Sequence, residues 1–126
     1  MAKFSEYVFG IARAVIGLLF ACHGAQKLFG VLGGQRMVGN PLMLAAGILE
    51  FFGGSLIALG LFTRPVAFLL SGEMAVGYFR AHAPHGFFPI VNHGELAVLY
   101  CFIYLYIATR GAGPLSLDVA VRGKGG

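Results

Sequence analysis

The sequence predicts an all-α membrane protein, in which residues 1–126 form one domain built on a bundle of four transmembrane helices. Of the 126 residues, 58% are hydrophobic and 11% are charged, and the mean hydropathy is +0.82. About a quarter of the residues in a soluble domain are charged, so this composition excludes a water-soluble fold. Spans of about 20 residues fit four times into this length and leave no room for an extramembrane catalytic domain.

The first predicted span covers residues 7–28, an apolar stretch that contains Arg13 and closes on polar residues. A glycine-rich connector follows and ends at Pro41, where a proline in the first helical turn favours a helix start. The second predicted span therefore covers residues 41–62, with Glu50 inside it.

The third predicted span covers residues 65–81, because Pro65 suits the first turn of a new helix, and it carries Glu73 in its interior. Two prolines and a glycine make the following loop irregular, and the fourth span is predicted over residues 93–109. After Arg110 the tail is short and rich in turn residues, so we expect it to face solvent.

Charge asymmetry predicts the orientation of the bundle. Four spans place both termini on one side of the membrane, and that side carries more basic residues than the other. The basic residues on the side of the termini are Lys3, Arg64, Arg110, Arg122 and Lys124, and those on the opposite side are Lys27, Arg36 and Arg80. The positive-inside rule therefore predicts cytoplasmic termini. The dispersed basic residues suit an anionic lipid leaflet, and no nucleic-acid partner is expected.

Small residues and charges share one face of each of the first three helices. Small residues let membrane helices approach closely, so each stripe predicts a helix contact that draws a charged side chain into the bundle. The stripes consist of Gly10, Arg13, Gly17, Ala21 and Gly24 on the first helix, Gly47, Glu50 and Gly54 on the second, and Glu73, Gly77 and Arg80 on the third.

Arg13, Glu50 and Glu73 are predicted to form a buried charged centre near the middle of the bilayer. From the helical rise, Arg13 and Glu73 lie about 10 and 12 Å from the cytoplasmic end, and Glu50 lies about 14 Å from the other end. Because arginine stays charged, we expect one glutamate to pair with it. The second glutamate is then a candidate proton-handling group, and a purely structural role for the three charges stays open.

Polar residues also converge at the end of the bundle opposite the termini. His23, Gln26 and Lys27 close the first helix, and His93 and Glu95 open the fourth. Imidazole and carboxylate groups transfer protons near neutral pH, and lysine and amide donors stabilise an oxyanion. We therefore predict that these five residues are catalytic and act on a quinone-like or acidic substrate.

The pair His82-x-x-His85 raises the hypothesis of a metal site, with other polar residues at the same end completing the ligand shell. Both histidines belong to a proline-containing loop, which does not present a fixed helical face. We therefore predict no metal site.

Six short motifs follow one another along nearly the whole chain. They are Arg13-x-x-x-Gly17, His23-Gly24-x-Gln26-Lys27-Leu28-Phe29-Gly30, Gly47-x-x-Glu50-x-x-Gly53-Gly54, Leu59-Gly60-Leu61-x-Thr63-Arg64, Asn92-x-Gly94-Glu95 and Gly111-x-Gly113-Pro114-x-Ser116-Leu117-Asp118. In this order they resemble the DoxX family of small membrane proteins. The resemblance implies a four-helix protein of the bacterial inner membrane that is an oxidoreductase or oxidoreductase subunit, linked to quinones and oxidative stress.

The resemblance also selects individual residues. The positions that match its motifs are Arg13, His23, Gln26, Lys27, Glu50, Arg64 and Glu95. One departure is His93, where the family more often has glycine, and this histidine adds a titratable group beside Glu95.

The leading functional hypothesis is a membrane protein that supports electron and proton transfer to or from a quinone-like molecule. The sequence has no dinucleotide-binding glycine fingerprint and no CxxC motif, so a redox-enzyme partner is expected to carry the electron-transfer cofactor. The other expected contacts are the lipid bilayer and, as an open alternative, further copies of the chain in a homo-oligomer. Two other functions stay open: a non-enzymatic scaffold for soluble redox enzymes, and a small proton-coupled exporter.

Overall fold

Every regular element is helical in the computed structural model, which describes residues 2–31, 39–82, 84, 86, 88–92 and 94–122. The elements, in order, are α1 (Ala2–Phe29), α2 (Pro41–Ile48), a first π-helical turn (Leu49–Gly53), α3 (Gly54–Leu59), α4 (Thr63–Gly77), a second π-helical turn (Tyr78–His82), α5 (Pro89–Asn92), α6 (Glu95–Arg110) and α7 (Leu117–Arg122). The predicted all-α fold class is confirmed.

Two helical segments are long and apolar enough to cross a membrane, Lys3–Phe29 and Pro41–Leu59. They coincide with the first two predicted spans, except that α1 begins earlier, at Ala2, and the second segment ends earlier, at Leu59. The third predicted span corresponds to α4 with its π-helical turn, and the fourth corresponds to α6. These two spans stay predictions of membrane crossing.

Local signals in the sequence explain the ends of the second helical segment. The side chain of Asn40 caps α2 by accepting a hydrogen bond from the Leu42 amide at 2.9 Å, and Pro41 occupies the first turn as predicted. At the other end Gly60 and Phe62 have positive φ values of 69° and 52°, and this tight turn leads directly into α4.

The helices pack as two pairs. α1 lies along the continuous segment formed by α2, the first π-helical turn and α3, and α4 lies along α6. The core between the two pairs is apolar and aromatic, and its buried members are Phe20, Ile57, Ala67, Leu70, Tyr100, Tyr104 and Ile107.

Glycines bring α1 into backbone contact with the second helical segment. A Cβ atom on Gly17 would collide with the backbone of Ala58, and one on Gly24 would collide with the backbone of Phe51. Gly54 meets the backbone of α1 in the same way. The predicted small-residue stripes of the first two helices are therefore confirmed as a helix contact. The predicted stripe on the third helix is not such a contact, because a Cβ atom on Gly77 would meet nothing within 4 Å and Arg80 is exposed.

Polarity is distributed as expected for a chain surrounded by lipid. The outer face of α1 carries exposed Ile11, Val15, Leu18 and Leu19, while Arg13 is buried on its inner face. A soluble domain rarely exposes such a continuous apolar surface.

The predicted partner of Arg13 was wrong. Its guanidinium group donates hydrogen bonds to carbonyl oxygens, with distances of 3.0 Å to Ile57 and 2.7 Å to Leu115, and it also bonds to the carbonyl of Ala112. Carbonyls at the end of a helix carry partial negative charge and lack intrahelical donors, so they satisfy an arginine without a carboxylate. Arg13 therefore lies at the level of Ile57, about 10 Å along the helix from Glu50.

The tail after α6 was predicted to face solvent, and this prediction was wrong. Ala112 is fully buried, and the buried Asp118 side chain accepts hydrogen bonds from the amides of Phe62 at 2.9 Å and Thr63 at 3.0 Å. The first amides of a helix have no intrahelical acceptor, and no side chain caps α4 from its own N-cap position, so Asp118 supplies the acceptor. The tail thus returns to the bundle as part of the fold.

Candidate functional site

An ion pair lies inside the bundle, at the end of α1 opposite its N-terminus. Lys27 Nζ is 2.5 Å from Glu50 Oε1, and the Glu50 side chain is 2% exposed whereas that of Lys27 is 24% exposed. The pair therefore joins a nearly dry carboxylate to an ammonium group that keeps some access to the surface. Burying either charge without the other is unfavourable, so the two groups hold each other in place.

Two local features bring these residues together. Gly24 allows α1 to approach the backbone of Phe51, which places Lys27, one turn further along α1, over Glu50. Glu50 itself belongs to the π-helical turn Leu49–Gly53. Such single turns interrupt α-helices frequently at functional sites.

A second carboxyl group adjoins the pair from the other side of the bundle. The carboxyl group of Glu73, on α4, lies beside that of Glu50, and its Oε1 is buried without a hydrogen-bond partner among the described residues. One ammonium group balances one carboxylate, so two carboxyl groups here are accommodated best when they share a proton. Lys27, Glu50 and Glu73 thus form a cluster that can hold a proton away from water.

The ion pair opens into a cavity of about 240 Å³, named here the inner cavity. It lies between α1, α4 and α6, and its lining consists of Phe20, His23, Lys27, Glu50, Met74, Leu96, Ala97 and Tyr100. The His23 ring meets Tyr100 edge-on, with a centroid distance of 6.3 Å. The inner cavity therefore combines an imidazole, an ammonium group, a carboxylate and a phenol.

Glu73 lines a different space, of about 340 Å³, named here the lateral groove. Its lining consists of Leu42, Met43, Ala45, Ala46 and Leu49 from the second helical segment, and Leu69, Gly72, Glu73, Val76, Gly77 and Arg80 from α4 and its π-helical turn. Because Glu50 lines the inner cavity and Glu73 lines the lateral groove, the adjacent carboxyl groups lie between the two spaces.

The predicted catalytic residues differ in whether they line the inner cavity. His23 and Lys27 line the inner cavity, and Gln26 is half-buried on the same helix end. Glu95 is exposed at the start of α6, beside two residues that line the cavity. His93 lies outside the described residues.

The metal-site hypothesis concerned the side chains of His82 and His85, which also lie outside the described part of the chain. In the part that is described, no group of three or more histidine, cysteine, aspartate or glutamate side chains is arranged to hold a metal ion.

Comparison with known proteins supplies the family. A family model described as DoxX matches residues 9–83, more than half of the chain. The chain belongs to the DoxX family. The matched region runs from α1 to the end of the second π-helical turn, so it includes Lys27, Glu50 and Glu73 but not α6. DoxX membership and the two apolar helical segments together indicate a membrane protein.

Two relatives of this DoxX chain occur in Haemophilus influenzae. One uncharacterized protein is 44% identical over 125 residues, which covers 94% of this chain and 93% of the relative. Another uncharacterized protein is 33% identical over 67 residues, which covers 53% of this chain and 44% of that relative. No solved structure matches the chain.

Proposed function

We propose that this DoxX chain is the multi-pass membrane subunit of an oxidoreductase that acts on quinone-like molecules in the bacterial inner membrane. In this proposal both termini are cytoplasmic, and the protein contributes to the response to oxidative stress. The observation that carries the proposal is the cluster of Lys27, Glu50 and Glu73, in which two adjacent carboxyl groups share the charge of one lysine.

Reduction of a quinone requires a supply of protons as well as electrons. Conversion of a quinone to a quinol consumes two electrons and two protons, and the ring resides in the apolar part of the membrane. Electrons can come from a partner protein that carries a redox cofactor, but protons need titratable side chains to reach the ring. Positioned acids and bases of this kind accelerate proton transfer by about 10²- to 10⁴-fold.

The proposed proton route runs from water to the buried cluster. Glu95 and His23, together with His93, which lies two positions before Glu95 in the sequence, are proposed to exchange protons with water at the rim. His23 and Lys27 then connect the rim to Glu50 through the inner cavity, since all three line it. Gln26 is proposed as a neutral hydrogen-bonding group near the same end of α1.

The first experiment asks whether the protein binds a quinone. The full-length chain is purified in mild detergent, and the extracted quinone is quantified by mass spectrometry. We expect the purified protein to contain a quinone in stoichiometric amounts. A preparation that neither contains quinone nor binds an added benzoquinone with a decyl tail contradicts the proposal.

The second experiment tests the proton centre. Protein loaded with the decyl-benzoquinone is freed of unbound quinone and mixed with reduced flavin mononucleotide as a surrogate two-electron donor. We expect Glu50→Gln and Glu73→Gln to slow reduction of the bound quinone at least about tenfold. Glu6→Gln is the matched control, because Glu6 pairs with Arg110 away from the cluster. If Glu50→Gln and Glu73→Gln reduce the bound quinone as fast as Glu6→Gln does, the role of the cluster is refuted.

A further inference from the structure

The lateral groove contains glycines that packing within the chain does not explain. A Cβ atom on Gly72 or Gly77 would meet nothing within 4 Å, whereas one on Gly17 or Gly24 would collide with the backbone of the neighbouring helix. Glycine in a helix interior is unfavourable by about 0.5–1 kcal/mol relative to alanine. Here it leaves open space beside α4 that is available to a molecule from outside the chain.

Two polar side chains occupy this otherwise apolar groove. Glu73 lies between Gly72 and Gly77, with its Oε1 buried and unpartnered among the described residues. Arg80 is exposed and lies about 10 Å further along the helix. Both Arg80 and Glu73 line the groove. The groove thus offers one carboxyl group and one guanidinium group along a single apolar wall.

The size and surroundings of the lateral groove suit a lipid-soluble molecule better than those of the inner cavity. Its volume of about 340 Å³ falls in the usual range for small-molecule sites of about 300–1,000 Å³, and the inner cavity, at about 240 Å³, does not. The groove is bordered by the exposed apolar side chains of Leu42, Leu49, Leu69 and Val76, so it opens toward lipid.

Resting on the proposed function, we infer that the lateral groove between α2 and α4 binds the quinone, and that Glu50 and Glu73 pass protons to it from the inner cavity. One ring oxygen accepts a hydrogen bond from the Glu73 carboxyl group, and the oxygen on the opposite side of the ring faces Arg80. The alkyl tail lies past Gly72 toward Leu49 and Leu69. The inner cavity is then the proton entrance.

The reduction step balances as follows. The partner redox protein transfers two electrons to the ring, and the C=O double bond next to Glu73 becomes a C–O single bond while its oxygen takes the Glu73 proton. Glu73 then regains a proton that comes from water through the inner cavity and passes by way of Glu50, so that Glu50 is again the carboxylate partner of Lys27 at the end of the step. Arg80 stabilises the negative charge on the other oxygen until that oxygen takes its own proton from water at the Arg80 end of the groove. One quinone, two electrons and two protons thus give one quinol.

Photolabelling distinguishes the two spaces. The purified full-length protein is irradiated with an azido-benzoquinone that carries a decyl tail, and the labelled peptides are identified by mass spectrometry. We expect saturable labelling on α2 and α4 that unlabelled decyl-benzoquinone prevents. Saturable labelling confined to α1 and α6 overturns the groove site but leaves the proposed function intact. Absence of any saturable labelling overturns both.

Site-directed variants also distinguish a quinone in the lateral groove from one in the inner cavity, and they do so without mapping the labelled peptides. Gly72→Leu fills the groove and is expected to lower labelling at least fivefold, while Gly39→Leu, where a Cβ atom also meets nothing, should leave it unchanged. Arg80→Gln provides a second variant with no added bulk and should weaken labelling as well. Ala97→Leu adds bulk to the inner cavity but not to the lateral groove, so labelling should stay within twofold. If Ala97→Leu abolishes labelling while Gly72→Leu does not, the quinone lies in the inner cavity and the inference is wrong.

Discussion

Lys27 Nζ lies 2.5 Å from Glu50 Oε1 although the residues are 23 positions apart in the chain, and the contact joins the end of α1 to the first π-helical turn. The ammonium group is partly exposed and the carboxylate is not, so the pair connects the surface with the interior. Glu73 extends this connection to the lateral groove.

Removing only the lysine should destabilise the fold. Lys27→Met leaves the Glu50 carboxylate buried without its partner, and we expect a loss of up to about 3 kcal/mol in the free energy of unfolding, since breaking a buried pair costs about 3–5 kcal/mol and Lys27 is partly exposed. Lys27→Met combined with Glu50→Leu should recover most of this loss. Thermal unfolding in detergent measures all three proteins, and a double variant no more stable than Lys27→Met would contradict the pairing.

The fold should not tolerate replacement of Arg13 even by lysine. Its guanidinium group donates hydrogen bonds to carbonyl oxygens on α3 and on the tail. A lysine would keep the positive charge but would offer fewer hydrogen-bond donors in a different geometry. Carbonyls left without donors cost about 1–3 kcal/mol each, so Arg13→Lys should lower stability by at least about 2 kcal/mol. Arg64→Lys is the control, because Arg64 donates to exposed carbonyls at the end of α6. Similar melting temperatures for the two variants would argue against this role.

Asp118 should control whether the tail stays attached to the bundle. Asp118→Ala removes the acceptor for the first amides of α4, and loss of a helix cap costs about 0.5–2 kcal/mol. Limited trypsin digestion should then cleave after Arg110 faster than in the wild type. A cleavage rate that does not change would mean that other contacts hold the tail.

The sequence predicted the features that depend on local composition. The apolar stretches gave the helices, and spacing identified the inward faces that Gly17, Gly24 and Gly54 form between α1 and the second segment. Pairings across helices were predicted less well, because they depend on the rotation and depth of each helix. Arg13 and Glu50 were expected to meet, but α1 begins at Ala2, and Arg13 reaches the carbonyls at the end of α3 instead.

Two features of the site escaped prediction for physical reasons. The partner of Lys27 depends on a π-helical turn, and an insertion of this kind leaves no periodic signal in a sequence of uniformly apolar residues. The return of the tail depends on Asp118 meeting amides more than fifty positions away. Asp118 is the only aspartate in the sequence, and this is the one signal that could have indicated a buried acceptor.

Gly54, which packs against α1, and Gly72, on the groove side of α4, should respond oppositely to the smallest possible substitution. Gly54→Ala places a methyl group against the backbone of α1 and should destabilise the protein by at least about 1 kcal/mol, in the range known for overpacked sites. Gly72→Ala meets no atom of the chain and should be neutral or stabilise the helix by up to about 1 kcal/mol. Thermal unfolding without added quinone compares the two. A destabilising Gly72→Ala would indicate that the groove is closed in the free protein.

Tyr104 offers a test of what lies next to the carboxyl cluster. Its ring is fully buried and stacks on Tyr100 with centroids 5.8 Å apart, and its hydroxyl group has no hydrogen-bond partner within the described residues. A buried hydroxyl without a partner is unfavourable by about 1–3 kcal/mol, so Tyr104→Phe should leave stability unchanged or raise it. A loss of more than about 1 kcal/mol would instead mean that the hydroxyl holds an internal water molecule. Tyr100→Phe is the matched comparison, since Tyr100 lines the inner cavity and its loss should alter quinone reduction rates if the proton route passes through that space.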